Sequence, residues 1–191
     1  MDDEPGSDAF LSAIRAGDRR AFARAVSVYE RSVRRFASAF LGDAAEGDDV
    51  AQRAFLDLWN DRAKLRPEGS LRGLLLARAR HLCLNRARAL GRARVRGESL
   101  AAEPVQADAP PTPLDALVGA QDSRDAGALH ARVLALVAEL DDDVRTAIWM
   151  RFAGEASFEE IAEAIGRPPH AMRALVYRAL AGIRGKLGGA S

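Results

Sequence analysis

Apolar residues recur along the chain at intervals of three and four, the spacing of one face of an α-helix. The clearest stripe lies in residues 18–41 and consists of Phe22, Ala25, Val26, Tyr29, Val33, Phe36, Ala37 and Phe40. Similar patterns predict helices over 8–15, 48–59, 130–140 and 144–152, and a long helix after Ser70 that packs through Leu71, Leu75, Ala79, Leu82 and Ala89. Alternating strand patterns are almost absent, so the sequence predicts an all-α fold.

Residues 157–180 have the pattern of two helices joined by a tight turn. Ser157 and Glu160 have the spacing of a capping box, Gly166 ends the first helix, and Pro169 begins the second. This pattern predicts a helix-turn-helix, which makes DNA a candidate partner. The alternative is a helical hairpin with a solvated face. The second helix has a buried stripe of Met172, Val176, Ala179 and Ile183, and its outward residues are His170, Arg173, Ala174, Tyr177 and Arg178.

The long helix after Ser70 has a polar stripe on a different side from its apolar one. His81, Asn85, Arg88 and Arg92 follow one another at steps of four, three and four, with Arg78 beside them. Arginines spaced in this way can follow a phosphate backbone, and Asn and His offer donors and acceptors to base edges.

An apolar edge extends beyond the core-facing arc of the predicted helix 48–59. Gln52, Leu56 and Trp59 lie together on this edge. Two interpretations remain open, an enlarged core contact or a docking surface for another protein.

The net charge of +1 conceals a strongly uneven distribution. Residues 62–96 carry 11 basic side chains and one acidic, which favours a polyanionic partner over a solvated face, because solvated faces usually mix both signs. Residues 97–128 carry six acidic side chains and one basic, together with four of the eight prolines. They are typical of a flexible linker, with a short helix expected near 114–120. The sequence therefore predicts two small helical domains, 1–96 and 129–191.

The sequence lacks the residues that several classes of function require. Cys83 is the single cysteine and the three histidines are scattered, so we expect no disulfide framework, metal site or cofactor. No nucleophile set, phosphate-binding loop or carboxylate pair indicates an enzyme. No apolar run reaches the length of a membrane span, so we expect a cytoplasmic protein.

The ordered blocks of the chain resemble a sigma factor of the extracytoplasmic-function type, the compact group that retains conserved regions 2 and 4. The first half contains AGDRRAFARAVSVYERSVRRFA, GDDVAQRAFLDLW and GSLRGLLLARARHLCLNRARA. The second half contains LDDDVRTAIWMRFAGEASFEEIAEAIG followed by the recognition helix.

This resemblance implies roles for the residues described above, and it implies no catalytic residue. The side chains implied to dock on the polymerase clamp are Asp49, Gln52, Leu56 and Trp59. Those implied to melt and read the −10 element are Arg66, Glu68, Ser70, Arg78, His81, Asn85, Arg88 and Arg92. Those implied to read the −35 element are His170, Arg173, Ala174, Tyr177 and Arg178. The implied partners are core RNA polymerase, promoter DNA and an anti-sigma factor.

The chain departs from the family pattern at some of these positions. Arg53 stands where an acidic residue is usual, and Ala174 and Leu175 stand where Ser and Arg are frequent. Two other functions therefore stay open: a stand-alone helix-turn-helix regulator that binds duplex operators, and a regulatory decoy with reduced −35 reading.

Overall fold

A computed structural model describes residues 5–66, 69–95 and 126–188, and for 90–95 and 126–128 it describes the backbone alone. The chain divides into two compact units, Met1–Ala102 and Glu103–Ser191. Within the described ranges the regular structure is helical and no strand occurs. The prediction of an all-α protein with two helical domains is confirmed.

Four α-helices form the first unit, and four form the described part of the second. The first four are α1 (Asp8–Arg15), α2 (Arg19–Leu41), α3 (Ala44–Asn60) and α4 (Leu71–Val95), with a 3-10 turn at Arg62–Lys64. The second four are α5 (Ala126–Ala138), α6 (Asp142–Phe152), α7 (Phe158–Ile165) and α8 (Pro169–Gly188).

Polar side chains fix the beginnings of the helices in the first unit. The Ser7 hydroxyl accepts from the Phe10 N–H, Asp18 accepts from the N–H groups of Arg20 and Ala21, and the Ser70 hydroxyl accepts from the Gly73 N–H. Each bond satisfies a backbone donor that the first helical turn leaves without a partner.

Two predicted helix boundaries were wrong. Helix α3 begins at Ala44 rather than at residue 48, because Asp43 caps it by accepting from the Glu46 N–H at 3.0 Å. Gly47 therefore lies inside the helix. Helix α5 spans Ala126–Ala138 instead of 130–140. Of the predicted linker, residues 97–125 lie outside the described part of the chain, and so does the expected short helix near 114–120.

The core of the first unit is built around α2, which contacts α1, α3 and α4. Six of its eight predicted stripe residues are buried, and Phe22 and Val26 are half-buried. In α4 the prediction was partly wrong: Leu82 and Ala89 are half-buried, whereas Leu76 and Cys83 take core positions. The reason is that α4 packs against both α2 and α3, so its buried face is wider than one stripe.

The second unit closes around the apolar side of α8. Met172, Val176 and Ile183 are buried as predicted, Ala179 is half-buried, and Leu180 completes the stripe. Helices α5, α6 and α7 all contact α8, and α6 supplies a continuous buried run from Thr146 to Met150.

At Gly47 the backbones of α2 and α3 lie very close together, so we expect a side chain at this position to lower stability. A Cβ at this position would lie 2.6 Å from the Ser38 backbone nitrogen and 2.7 Å from its Cα. We expect Gly47→Ala to lower the free energy of unfolding by about 1–3 kcal/mol, because the two helix backbones must separate. Urea unfolding followed by far-UV circular dichroism measures this loss, with the transitions of the two units fitted separately.

The control is Gly182→Ala in α8, where an added Cβ meets nothing within 4 Å. That change should raise stability by about 0.5–1 kcal/mol, the usual helix preference for alanine. Equal behaviour of the two variants would show that the contact with Ser38 does not constrain the first unit.

Candidate functional surfaces

One face of α3 presents most of the predicted docking residues to solvent. Asp49 and Gln52 are exposed, and the Leu56 side chain is 55% exposed. Leu56 is one of three large hydrophobic residues that stand exposed in the described part of the chain, with Val28 and Tyr177. An exposed leucine beside an amide and a carboxylate suits a protein contact with an apolar centre and a polar rim.

Trp59 belongs to the packed interior more than to this exposed face. Its ring lies 4.8 Å from the Phe22 ring, and the Arg62 guanidinium covers it at 4.4 Å. Arg62 also donates to the Trp59 carbonyl oxygen at 2.8 Å, which holds the guanidinium in place. Of the two interpretations left open by the sequence, the enlarged core contact describes Trp59, and the exposed surface describes Gln52 and Leu56.

Arg53, the unusual basic residue of this face, is neutralised within its own helix. Its Nε lies 2.9 Å from the Asp57 Oδ1, one helical turn away. The ion pair reduces the charge that Arg53 presents, although such exposed pairs contribute little to stability.

The polar stripe of α4 is exposed, and its members are hydrogen-bonded to one another. The Asn85 Nδ2 lies 3.0 Å from the His81 Nε2, and Arg88 donates from Nη1 to the Asn85 Oδ1 at 3.2 Å. All three side chains face solvent. The amide of Asn85 is therefore oriented by a neighbour on each side before any ligand arrives.

Arg78 does not share this exposed stripe, because Asp61 binds it. Its Nη1 lies 3.1 Å from the Asp61 Oδ2, its side chain is only 22% exposed, and Lys64 approaches the other carboxylate oxygen at 2.7 Å. Hydrogen bonds from Lys64 and then Arg78 lower the pKa of Asp61, so this carboxylate stays charged at neutral pH. Because the pKa is lowered, Asp61 loses its negative charge only in acid, below the ordinary Asp value of 3.8.

The remaining candidates for −10 contact have different environments. Arg66 is exposed, whereas the Ser70 hydroxyl is used as the cap of α4. Glu68 lies outside the described residues, and for Arg92 the structure describes the backbone of α4 but not the side chain.

Arg86 fixes α4 against α3 by a two-pronged ion pair with Glu46. Its Nε lies 2.6 Å from the Glu46 Oε2, and its Nη2 donates to the Oε1 of the same carboxylate. The hydrogen bonds that Arg86 donates to the Glu46 carboxylate raise the pKa of Arg86, so the guanidinium remains charged. This pair ties the helix with the polar stripe to the helix with the exposed leucine.

The second unit contains the predicted helix-turn-helix, formed by α7 and α8. The Ser157 hydroxyl accepts from the Glu160 N–H at 3.1 Å, and the Glu160 carboxylate accepts from the Ser157 N–H at 2.7 Å, so the capping box is present. Gly166 ends α7 with a φ of 79°, a conformation that favours glycine. Arg167 in the turn pairs with Asp143 of α6 at 2.9 Å, which anchors the turn to the rest of the unit.

All five residues predicted to face outward from α8 are exposed. They are His170, Arg173, Ala174, Tyr177 and Arg178. The Tyr177 side chain is 57% exposed, and its ring lies 6.2 Å from the ring of Phe158. A solvent-facing helix with two arginines, a histidine and an aromatic ring has the chemistry to enter a major groove.

Three residues that support these surfaces were missed from the sequence. Asp61 binds Arg78, Arg62 covers Trp59, and Phe158 lies beneath the guanidinium of Arg173 at 5.1 Å. Phe158 is also a core residue of α7, and its contact with Arg173 is visible only once α8 is placed. The ionic and ring contacts all join residues whose spacing in sequence carries no recognisable motif.

In the described ranges no group of three or more His, Cys, Asp or Glu side chains could hold a metal ion. No helix there is long and apolar enough to cross a bilayer.

Family models match both units. The model of sigma-70 region 2 matches residues 25–93, and that of sigma-70 region 4 matches residues 130–181, so the two together cover more than half of the chain. The first match contains most of α2, all of α3 and the stripe of α4. The second contains the helix-turn-helix.

Two curated bacterial proteins resemble the chain over most of its length. The Probable RNA polymerase sigma factor RfaY of Xanthomonas campestris is 27% identical over 173 residues, which are 90% of this chain and 42% of that protein. The RNA polymerase sigma-H factor of Pseudomonas aeruginosa is 26% identical over 169 residues, which are 88% of this chain and 87% of that protein. The chain thus spans less than half the length of the first relative and most of the second.

Two solved structures share the fold. The CnrH chain, solved in complex with the cytosolic domain of CnrY, matches 97% of this chain and 99% of its own with a TM-score of 0.65 and 22% identity. The sigma factor RpoE of Bartonella quintana, solved with the anti-sigma factor NepR, matches 90% of this chain and 99% of its own with a TM-score of 0.66 and 19% identity. With regions 2 and 4 in this order along one chain, the protein belongs to the sigma-70 family of RNA polymerase sigma factors.

Proposed function

We propose that this chain binds core RNA polymerase and directs transcription initiation by contacting the −10 element with its first unit and the −35 element with its second. The observation that carries the proposal is that each unit exposes a distinct polar face, the α4 stripe and the outward face of α8, within a region-2 and a region-4 match. Promoter recognition at two separated elements needs two such faces on one chain.

Polymerase docking is assigned to the exposed face of α3. Leu56 provides an apolar centre, and Asp49 and Gln52 provide a polar rim on the same side of the helix. Trp59 supports this surface from below through its contacts with Phe22 and Arg62, so its contribution is to hold the helix in position.

Recognition of the −10 element is assigned to α4 and the loop that precedes it. His81, Asn85 and Arg88 form a hydrogen-bonded row that can present its polar groups to unpaired bases. Extruding a base from the duplex costs a few kcal/mol, so contacts of this kind are needed to hold the strands apart. Arg66 and Arg92 extend the row as candidates for phosphate contact.

Recognition of the −35 element is assigned to α8. Arg173 and Arg178 are exposed and can contact base edges or phosphates, and Tyr177 offers an aromatic face. Ala174 is exposed without a polar group, and Leu175 is half-buried, so the two departures from the family pattern reduce the number of polar contacts available. We propose a −35 sequence that is read by few side chains, rather than a decoy that has lost this function.

The proposed activity requires no active site in this chain, because catalysis of RNA synthesis resides in the polymerase. We propose that the protein acts in the cytoplasm, where polymerase and chromosome are found. Both of the similar structures described above are complexes with a second protein, the cytosolic domain of CnrY in one and the anti-sigma factor NepR in the other. We therefore also propose that an anti-sigma factor is a partner of this chain.

A stand-alone operator-binding regulator is not favoured, since such a protein would have no need of the region that matches sigma-70 region 2.

Run-off transcription tests the proposed function directly. Core RNA polymerase of the same organism, supplied with this chain and a pool of genomic promoter fragments, should produce transcripts from a defined subset of promoters. Core polymerase without the chain provides the baseline. If no promoter in the pool responds, the chain is not a promoter-specificity subunit.

Leu56→Ala tests the docking surface. Loss of a leucine from the apolar centre of an interface should weaken binding to core polymerase by about 1–3 kcal/mol, which titration with labelled protein measures. Stability should change by less than about 0.5 kcal/mol because the side chain is exposed. Val28→Ala is the matched control, since Val28 is also an exposed hydrophobic residue but lies on α2. Equal loss of polymerase binding in both variants would contradict a docking site centred on Leu56.

Trp59→Ala tests the supporting role assigned to this ring. The variant loses the contact with Phe22 and the covering guanidinium of Arg62, so the free energy of unfolding of the first unit should fall by about 2–4 kcal/mol. Urea unfolding measures the loss. An unchanged stability, accompanied by weaker polymerase binding, would instead make Trp59 a direct docking residue.

A further inference from the structure

The ring of Phe158, on α7, contacts side chains of both α6 and α8. The guanidinium of Arg173 from α8 lies 5.1 Å from its centroid, and the guanidinium of Arg151 from α6 lies 5.6 Å away. The Tyr177 ring, also from α8, lies 6.2 Å away. Phe158 itself is 9% exposed, so the ring is held by the core of the second unit while one or more of its edges reach the surface.

We propose that Phe158 is a positioning residue for promoter recognition, because its ring holds the Arg173 guanidinium in place on the outward face of α8. The inference rests on the proposed −35 recognition and deepens it: it assigns the orientation of a reading arginine to a residue of the supporting helix. Phe158 itself has no polar group with which to read a base.

The physical basis is the attraction between a guanidinium and the negative face of an aromatic ring within about 6 Å. An aliphatic side chain of similar volume would fill the same space in the core but would lack this attraction. Phe158 therefore has two roles, to fill space in the core and to orient Arg173. A substitution by an aliphatic residue removes the second role and keeps most of the first.

An exposed arginine samples many rotamers, and the loss of this freedom on association opposes binding. An arginine that is already held in place loses less freedom and therefore binds more tightly. Contact with a ring of the core restricts these rotamers before DNA arrives. In the complex the same contact becomes stronger, since exclusion of water lowers the local dielectric.

Two neighbouring charges also act on Arg173. Glu159, one residue after Phe158, attracts it, and the pKa of Glu159 is lowered first by its backbone hydrogen bond, then by Ser157 and finally by the charge of Arg173. Arg151 is a second cation on the same ring, and its Nη1 is fixed at the other end by donation to the Ala156 carbonyl oxygen at 3.1 Å. Arg173 is thus attracted by the Glu159 carboxylate, while Arg173 and Arg151 lie on the same ring and repel each other. The approach of a DNA phosphate relieves the repulsion between these two guanidinium groups.

A double-mutant cycle tests the proposal. Holoenzymes are assembled from core polymerase and the full chain carrying no change, Phe158→Leu, Arg173→Ala, or both changes. Their affinities are measured for a labelled duplex carrying the −35 sequence that the unchanged holoenzyme selects from a randomised pool.

Two further variants serve as controls. Phe158→Tyr keeps the ring face and should retain affinity. Phe152→Leu removes a half-buried ring of α6 and serves as the control for altered packing.

We expect Phe158→Leu to weaken binding by about two- to fivefold, the size of a partly exposed cation–π contact. In the chain that already carries Arg173→Ala, the same change should have no further effect, because the ring then has no reading arginine to hold. The melting temperature should fall similarly for Phe158→Leu and Phe152→Leu, while DNA affinity should fall for the first alone.

Several results would overturn the inference. An equal loss of affinity with and without Arg173 would make Phe158 a packing residue only, and tighter binding by Phe158→Leu would mean that the ring holds the arginine away from DNA. Either result leaves −35 recognition by α8 intact. If Arg173→Ala itself binds as tightly as the unchanged chain, the proposed role of Arg173 fails together with the inference.

Discussion

Burial of the apolar stripe of α2 is the interaction on which the first unit depends. Most helical stability in proteins comes from packing of an amphipathic face rather than from the intrinsic preferences of the residues. Helix α2 offers that face to α1, α3 and α4 at once, and Gly47 allows α3 to lie directly against the Ser38 backbone. Since α3 and α4 are fixed on the same helix, the exposed leucine of one and the polar stripe of the other are presented in a constant geometry. The ion pair between Arg86 and Glu46 then fixes the pair of helices from outside the core.

The parts of the fold that the sequence predicted are those determined by local chemistry. Ser157 and Glu160 form a capping box because their spacing alone brings hydroxyl, carboxylate and two backbone N–H groups together. Gly166 ends its helix for an equally local reason, its positive φ. The outward residues of α8 were predicted correctly because a single buried stripe defines the opposite face. In each case the determining partners lie within a few residues of one another.

Predictions failed where a partner from another helix decides the outcome. The helix predicted to begin at residue 48 begins at Ala44 instead, and the close passage of α2 explains the glycine at position 47 inside it. The buried side of α4 was underestimated because two helices cover it, and Leu76 became a core residue for this reason. Arg78 was grouped with the stripe by periodicity, but Asp61, which lies 17 residues earlier, draws it away from solvent. Periodicity within one helix carries no information about such partners.

The row formed by His81, Asn85 and Arg88 has a consequence for discrimination between sequences. Two hydrogen bonds already join its members, so a base that binds through the same atoms of His81, Asn85 or Arg88 has to displace one of these bonds. A matching base must offer hydrogen bonds better than those it displaces. In the −10 contact that we propose, these internal bonds therefore compete with the base, and their strength sets the threshold that a base has to exceed.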